Sequence, residues 1–292
     1  MVARAQRCAA DEAPLPAIQF RMHLADLGLH PVKSARGLHL EQSDVGPTGL
    51  RHDRRWMIVD AAGRFVSQRE DPRLGRIVPT IDDDALRLSA PGARDLSVPL
   101  RPATGPPRHV TIWEDEVEAR GCGDDADAWV EEVLGAGHRL VVLADATARP
   151  VDPDHGRAGD AVSFADGFPY LLTTTASLDD LNRRAGTALT MARFRPNLVI
   201  EGAAPFEEDR WRRIRVGDVV FRVVKPCARC VVTTLDPDTL EAGPEPLRTL
   251  ARFRAADGKV HFGQNLLPDG GGTLRVGDPV EVLEGGPPRP AS

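Results

Sequence analysis

RRWMIVD, residues 54–60, decides the fold class. Trp56 and Ile58 alternate with Met57 and Val59, the period-two signature of a strand. The turn Ala61-Ala62-Gly63 follows it. The same pattern returns at LRLSA (86–90), DLSVPLR (95–101) and HVTIWEDEVEAR (109–120), with Gly and Pro punctuation between. Strands at this spacing, separated by turn signals, predict a β-sandwich or barrel. The period changes at DDADAWVEEVLGAG (124–137), where Trp129, Val130, Val133 and Leu134 share one helical face. Asp124 or Asp125 can cap that helix and Gly135 can end it. It closes a first unit. HRLVVLAD (138–145) then reads as a buried strand, and the loop rich in Pro, Asp and Gly at 149–160 as a junction.

The second half is mixed. TASLDDLNRRAG (175–186) reads as a helix with Ser177 as cap and Asp180 at capping-box spacing. PEPLRTLARFRA (244–255) reads as another, with Leu247, Leu250 and Ala251 on one face. Strands are expected at NLVIEG (197–202), IRVGDVVFRVV (214–224), RCVVTTLD (229–236) and TLRVGDPVEVLE (273–284). RVGDVVFRV and RVGDPVEVL both place Gly-Asp between alternating apolar runs, a hairpin signal that predicts two hairpins of a barrel-like unit.

The chain has 292 residues and a net charge of −6. That mild acidity argues against a general nucleic-acid binder. No apolar run approaches the roughly 20 residues of a membrane span. Gly 27 and Pro 25 against Tyr 1 suit a turn-rich protein rather than a helical bundle. The four cysteines, Cys8, Cys122, Cys227 and Cys230, are few and unevenly placed, which suits reduced thiols in the cytoplasm rather than a secreted disulfide scaffold. Residues 1–21 lack the apolar stretch of a signal peptide and carry Asp11 and Glu12. They are expected to form a disordered extension, with Met22 an alternative start.

KPCARC (225–230) holds the candidate chemistry. A zinc site needs further ligands at matching spacing, which neither Cys122 nor the histidines supply. A thioredoxin-type motif would open a helix, whereas β-branched VVTTLD follows here. A thiolate ligand to a soft metal, with Lys225 and Arg229 lowering the thiol pKa and holding an anion, and a pair of buried small hydrophobes both stay open. HPVKSARG (30–37) puts cations and a hydroxyl after a strand, and HDRRW (52–56) puts Arg54 or Arg55 on a strand face. In RFRPN (193–197), arginines at i and i+2 share one face of an extended segment, suited to phosphate. Arg69 and Arg73 of SQREDPRL read as surface charge.

Taken in order, HPVKSARG, LRHDRRW, FVSQREDPRL, RGCGDDADAWV, FPYLLTTTASLDDLN, FRPNLVI, KPCARCVVTTLDPDT, FGQNLL and LRVGDPVEVL span about Met22 to Glu284. This set resembles the MOSC family, related to the C-terminal domain of molybdenum cofactor sulfurase. It is most similar to the two-domain members with an N-terminal β-barrel, the mitochondrial amidoxime-reducing component and its bacterial counterparts. The resemblance implies a β-dominated α+β fold: an N-terminal β-barrel domain at 22–137, a barrel-like MOSC domain with a few helices at 138–285, and a tail at 286–292.

The resemblance also implies a molybdenum cofactor (molybdopterin), a pterin dithiolene with a terminal phosphate, whose metal takes Cys230 as its protein ligand. Cys227 is then a bystander. Lys33, Ser34, Arg54, Arg195 and Asn197 are expected to hold the pterin and its phosphate, and Ala228 and Arg229 to contact it through their backbone. Close relatives often carry Cys where this chain has Ala35. The implied activity is reduction of N-hydroxylated compounds, such as hydroxylamines, amidoximes and N-hydroxylated bases. Electrons would come from a separate flavoprotein or iron–sulfur protein, because no four-cysteine C-terminal set is present. The alternative is a sulfur carrier or cofactor-binding module without turnover. Pyridoxal phosphate binding is a further family-level association.

Overall fold

The computed structural model describes residues 22–100, 105–144 and 149–289. The expected N-terminal extension, with Cys8, and the end of the tail lie outside the described residues. Residues 286–289 are tied down, since Gly286 and Arg289 donate backbone hydrogen bonds to Arg210 and Asp209.

The strand Trp56–Val59 is buried on both faces. Trp56 and Ile58 enter one core with Leu86, Leu88, Trp129 and Val130. Met57 and Val59 enter another with Val110, Ile112, Val117 and Val141. The alternation therefore assigns one strand to two cores. It edges a four-stranded sheet whose next members are Arg139–Leu143, Asp115–Gly121 and Pro107–Ile112. HVTIWEDEVEAR is thus a hairpin, not one strand. Its turn is Trp113-Glu114, with Trp113 at φ 55°, a positive-φ turn without the Asn-Gly pair that usually announces it.

A nine-stranded sheet dominates the other side of the molecule. The β-dominated α+β class holds, but the halves are interlaced. His23–Leu29, expected in the first unit, pairs with Leu198–Glu201, and Gln42–Gly46 pairs with Gly272–Arg275. Leu24, Leu27, Leu29, Val45 and Leu50 share a core with Tyr170, Leu172, Trp211 and Phe221. In the other direction, Arg139–Leu143 pairs with Trp56–Val59 and Asp115–Gly121. A division at 137/138 cuts in front of this strand, although its hydrogen bonds run back to the first sheet. Alternation tells a strand which faces to bury and not which strand to pair with.

Several local expectations change. The helix Asp124–Leu134 begins at Gly123 with no side-chain cap, and its aspartates serve the positive helix end from the first turn. The helix Thr175–Ala185 is capped by Thr174, whose hydroxyl accepts the Ser177 N–H, so the cap lies three residues before the expected Ser177. PEPLRTLARFRA yields only the single turn Leu247–Leu250, with Leu250 buried and Ala251 exposed. RCVVTTLD is not a strand. After Arg229 the chain turns into a 3₁₀ helix, Val231–Thr234, where the Thr233 and Thr234 hydroxyls donate to the carbonyls of Cys230 and Val231. Only the first Arg-Val-Gly-Asp is a hairpin, joining Trp211–Val216 to Val219–Arg229. The second links Gly272–Arg275 to Val280–Gly285, which pair in different sheets.

Two outcomes follow. Leu27→Ala should cost about 2–5 kcal/mol in denaturant unfolding, and the amides of His23–Leu29 should exchange with those of Leu198–Glu201. Exchange in step with Trp56–Val59 would contradict the shared core. Burial also pushes the Glu208 carboxyl up to about 7, against hydrogen bonds from the Ser177 and Thr174 hydroxyls. The native state then holds this proton more tightly than the unfolded chain. That contribution is fully present below the ordinary glutamate range and is lost as pH rises through about 7. Glu208→Gln should flatten this decline in stability between mildly acidic and neutral pH.

Candidate active site

The two halves meet around a cavity of about 160 Å³. Its walls come from loops that leave strand ends. The strand His23–Leu29 runs into Pro31 and delivers Lys33 and Ser34. Lys33 is 6% exposed, and its Nζ donates to the Phe164 carbonyl at 2.9 Å and to Asp166 Oδ1 at 2.5 Å. Burial lowers the Lys33 pKa, and Asp166 works against that fall. Burial alone would raise the Asp166 carboxyl, but Lys33, Arg69 and Arg54 hold it well below the usual carboxylate range. Asp166 keeps 68% of its side chain exposed, so the cations, not burial, govern it.

Arg54 precedes its strand, at φ 45°, and so lies on no strand face. Its Nη1 donates to Asp53 at 2.6 Å and to Asn197 Oδ1 at 3.2 Å, and its Nη2 to the Arg195 carbonyl at 3.2 Å. The Asp53 carboxylate is buried and also accepts the His30 N–H. Asn197 is engaged through both side-chain polar atoms: Nδ2 donates to the Gly28 carbonyl, and Oδ1 accepts from Arg54 and from the Leu171 N–H. It therefore acts as a latch that orients Arg54. Gly28 is required here, because a Cβ would lie 2.3 Å from the Pro196 carbonyl oxygen.

RFRPN is not extended. Arg193 lies in the 3₁₀ turn Met191–Phe194 and Arg195 follows in the left-handed conformation, yet both reach the cavity. Arg193 pairs with Asp236. Burial and the neighbouring Arg54 bring the Arg195 pKa down to about 9. Arg195 Nη1 donates to the Ala35 carbonyl at 2.5 Å, while Nη2 is buried without a partner. Arg229 donates to Cys227 Sγ at 2.8 Å and to the Phe194 carbonyl at 2.7 Å, and its Nε also lacks a partner.

Of the expected residues, Lys33, Ser34, Arg54, Arg195, Asn197, Arg229 and Cys230 all line the cavity, with Cys227 beside them. Ala228 does not: strand alternation turns its side chain to solvent, and its backbone pairs with His261. Lys225 faces Asp152 instead of the thiols, and Arg73 stays on the surface with Asp71. Cys122 lies away from the cavity, where burial and then Asp127 push its thiol up to about 12. The sequence reading missed Arg69, whose Nη2 lies 3.4 Å from Cys230 Sγ. It also missed Trp113, Phe65 and Asp166. The period-two run through IWEDEV concealed the turn that carries Trp113, and nothing in SQREDPRL separates Arg69 from Arg73.

Six cations, Lys33, Arg54, Arg69, Arg193, Arg195 and Arg229, line this cavity. Asp166, Asp53 and Asp236 answer three of them, leaving a local excess of three positive charges in a chain of net −6. Four of the eight non-glycine residues with positive φ among the described residues, Ser34, Arg54, Trp113 and Arg195, also line it. Backbone strain gathered at one place marks a functional site. The two orphaned guanidinium nitrogens fit a phosphate, whose oxygens accept from several donors at once. Among the described residues no three His, Cys, Asp or Glu side chains cluster as metal ligands. A metal at Cys230 would therefore take most of its ligands from a cofactor, and a phosphate-bearing dithiolene fits the donors present.

Fold and cavity together define a class: strand-rich two-unit proteins with a cationic pocket built around a cysteine. The chain belongs to the MOSC-domain family, matching the MOSC N-terminal beta barrel domain over residues 21–137 and the MOSC domain over residues 159–281. It is similar to mitochondrial amidoxime-reducing component 1 of Mus musculus, 37% identical over 278 residues that cover 89% of this chain and 82% of that one. The human protein of the same name is 36% identical over the same shares of each chain. Mitochondrial amidoxime reducing component 2 of Rattus norvegicus is 34% identical over 272 residues, covering 86% and 80%.

Inorganic phosphate should stabilise cofactor-free protein against unfolding, by about 2.7 kcal/mol at a hundredfold excess over its Kd. Arg195→Gln should remove most of that gain. Equal stabilisation of the variant would show that Arg195 is not the anion anchor.

Proposed function

We propose that this protein is a molybdenum-cofactor-dependent reductase of N-hydroxylated compounds. The observation that carries the reading is the cationic cavity with unpartnered guanidinium donors beside Cys230. The names of the relatives, amidoxime-reducing components, supply the reaction class. In this reading Lys33, Ser34, Arg54 and Arg195 hold the cofactor's phosphate and pterin. Asn197 fixes Arg54, Arg229 holds Cys227 aside, and Cys230 ligates the metal. When bound, the cofactor supplies a two-electron reduction in which an N–OH group, two electrons and two protons give N–H and water. The chain's own part is to fix anionic groups, to keep a cation, Arg69, against the Cys230 sulfur and to shape the mouth. The electrons come from a separate flavoprotein or iron–sulfur protein.

A persulfide carrier needs an accessible thiol and no deep phosphate site, so the buried cations favour the reductase over the carrier. Pyridoxal phosphate has no place in this reading. Of the three lysines, Lys33, Lys225 and Lys259, only Lys33 lines the cavity, and its Nζ is engaged by Asp166 and the Phe164 carbonyl. Among the described residues no helix is long and apolar enough to cross a membrane. The relatives are named mitochondrial. For location the reading requires only a compartment that provides cofactor and reductant, and the cytoplasm meets that need.

Protein made in a cofactor-competent host should carry near-stoichiometric molybdenum by elemental analysis. Cys230→Ala should lose it and Cys227→Ala should keep it. Loss only in the Cys227 variant would transfer the ligand role. Wild-type protein without molybdenum, from a host that loads another molybdoenzyme, would remove the reductase reading.

A further inference from the structure

Trp113 is an unusual residue for its place. It occupies a two-residue hairpin turn at φ 55°, where Gly or Asn is the ordinary choice. It also leaves 43% of its surface exposed. Three large hydrophobic side chains are exposed among the described residues, and of these Trp113 lines this cavity. No core repays the cost of an indole there. It is nevertheless held in place. The Phe65 ring packs at 4.9 Å between centroids, tilted by 57°. The Arg69 guanidinium carbon lies 4.7 Å from the indole centroid, and the same guanidinium reaches Cys230 Sγ at 3.4 Å. An aromatic surface therefore stands one guanidinium away from the sulfur proposed to ligate the metal.

We infer that Trp113, backed by Phe65 and covered on one face by Arg69, offers its remaining exposed surface as the platform for the body of the substrate. It makes the site prefer planar, conjugated N-hydroxylated compounds over small aliphatic ones with the same N–O group. The inference rests on the reductase reading for the reacting group, but the platform is a binding surface in its own right. Stacking a ring on an indole strengthens binding beyond plain area burial, and the gain is made equally before and during the reaction. Its loss therefore appears in KM rather than kcat.

Benzamidoxime and acetamidoxime, which differ only in phenyl against methyl, separate the possibilities. In molybdenum-loaded protein, Trp113→Ala should raise KM for benzamidoxime roughly tenfold. It should leave kcat and the acetamidoxime KM unchanged, and Trp113→Phe should restore most of the affinity. Equal KM changes for both compounds would mean that Trp113 only props Arg69, and no change for either would leave it no role; both overturn the platform. A second readout does not depend on turnover. Trp56, Trp129 and Trp211 are buried, so tryptophan emission accessible to a soluble quencher reports Trp113. Benzamidoxime should alter that emission saturably in wild type and not in Trp113→Phe, whereas acetamidoxime should not alter it. If loaded protein reduces neither compound, the reductase reading falls, and this titration alone decides the platform: a saturable change upholds it and its absence overturns it.

Discussion

Like charges crowded into one seam are the constraint on which the rest of the site depends. Lys33, Arg54, Arg195 and Arg229 cannot approach one another in a partly dry cavity unless each is held from behind. The scaffold supplies that hold mainly with carbonyls: Phe164 for Lys33, Arg195 for Arg54, Ala35 for Arg195 and Phe194 for Arg229. Carboxylates add to it where Asp53 backs Arg54 and Asp166 meets Lys33. Burial first, and Arg54 next, bring the Arg195 pKa down to about 9, the direction expected of a cation short of compensating charge. A bound anion would supply that charge, so this seam is costly as an empty surface and favourable as a phosphate site.

The interlacing of the two halves follows from the same requirement. Lys33 and Ser34 leave a strand of the large sheet, and Arg54 leads into the strand that edges the four-stranded sheet. Asn197 bonds to both, holding the Gly28 carbonyl and Arg54 together. Because the first strand pairs with Leu198–Glu201, segments 160 residues apart in sequence share one rigid wall. Positive-φ residues at Ser34, Arg54 and Arg195 then turn side chains inward where a regular strand would point them elsewhere.

Much of this was legible in the sequence, and the limits have physical causes. Alternation in RRWMIVD announced a strand, since side-chain direction is a local property; that both of its faces are buried came from the two cores it joins. Pairing is not local, so the sequence did not show that Arg139–Leu143, just past the end of the matched N-terminal domain at 137, pairs back with the first sheet. The family resemblance named seven residues that line one cavity and whose individual signals were weak, including Arg195, which reaches the cavity from a left-handed turn and not from an extended segment. Ala228 was expected to act through its backbone, and the outward turn of its side chain leaves that expectation open. Arg69 and Trp113 were missed because their meaning lies in contacts: with each other, and through Arg69 with Cys230. VVTTLD read as a strand from its β-branched residues, but threonine hydroxyls bonding back to carbonyls wound it into a 3₁₀ turn.

The most direct test of the central claim is X-ray absorption at the molybdenum edge of loaded protein, comparing wild type with Cys230→Ser and Cys227→Ser. If the cationic seam holds a dithiolene cofactor whose metal is completed by Cys230, the Cys230 variant shows one sulfur neighbour fewer and the Cys227 variant matches wild type. An unchanged sulfur count in Cys230→Ser, with the metal still bound, would contradict the account.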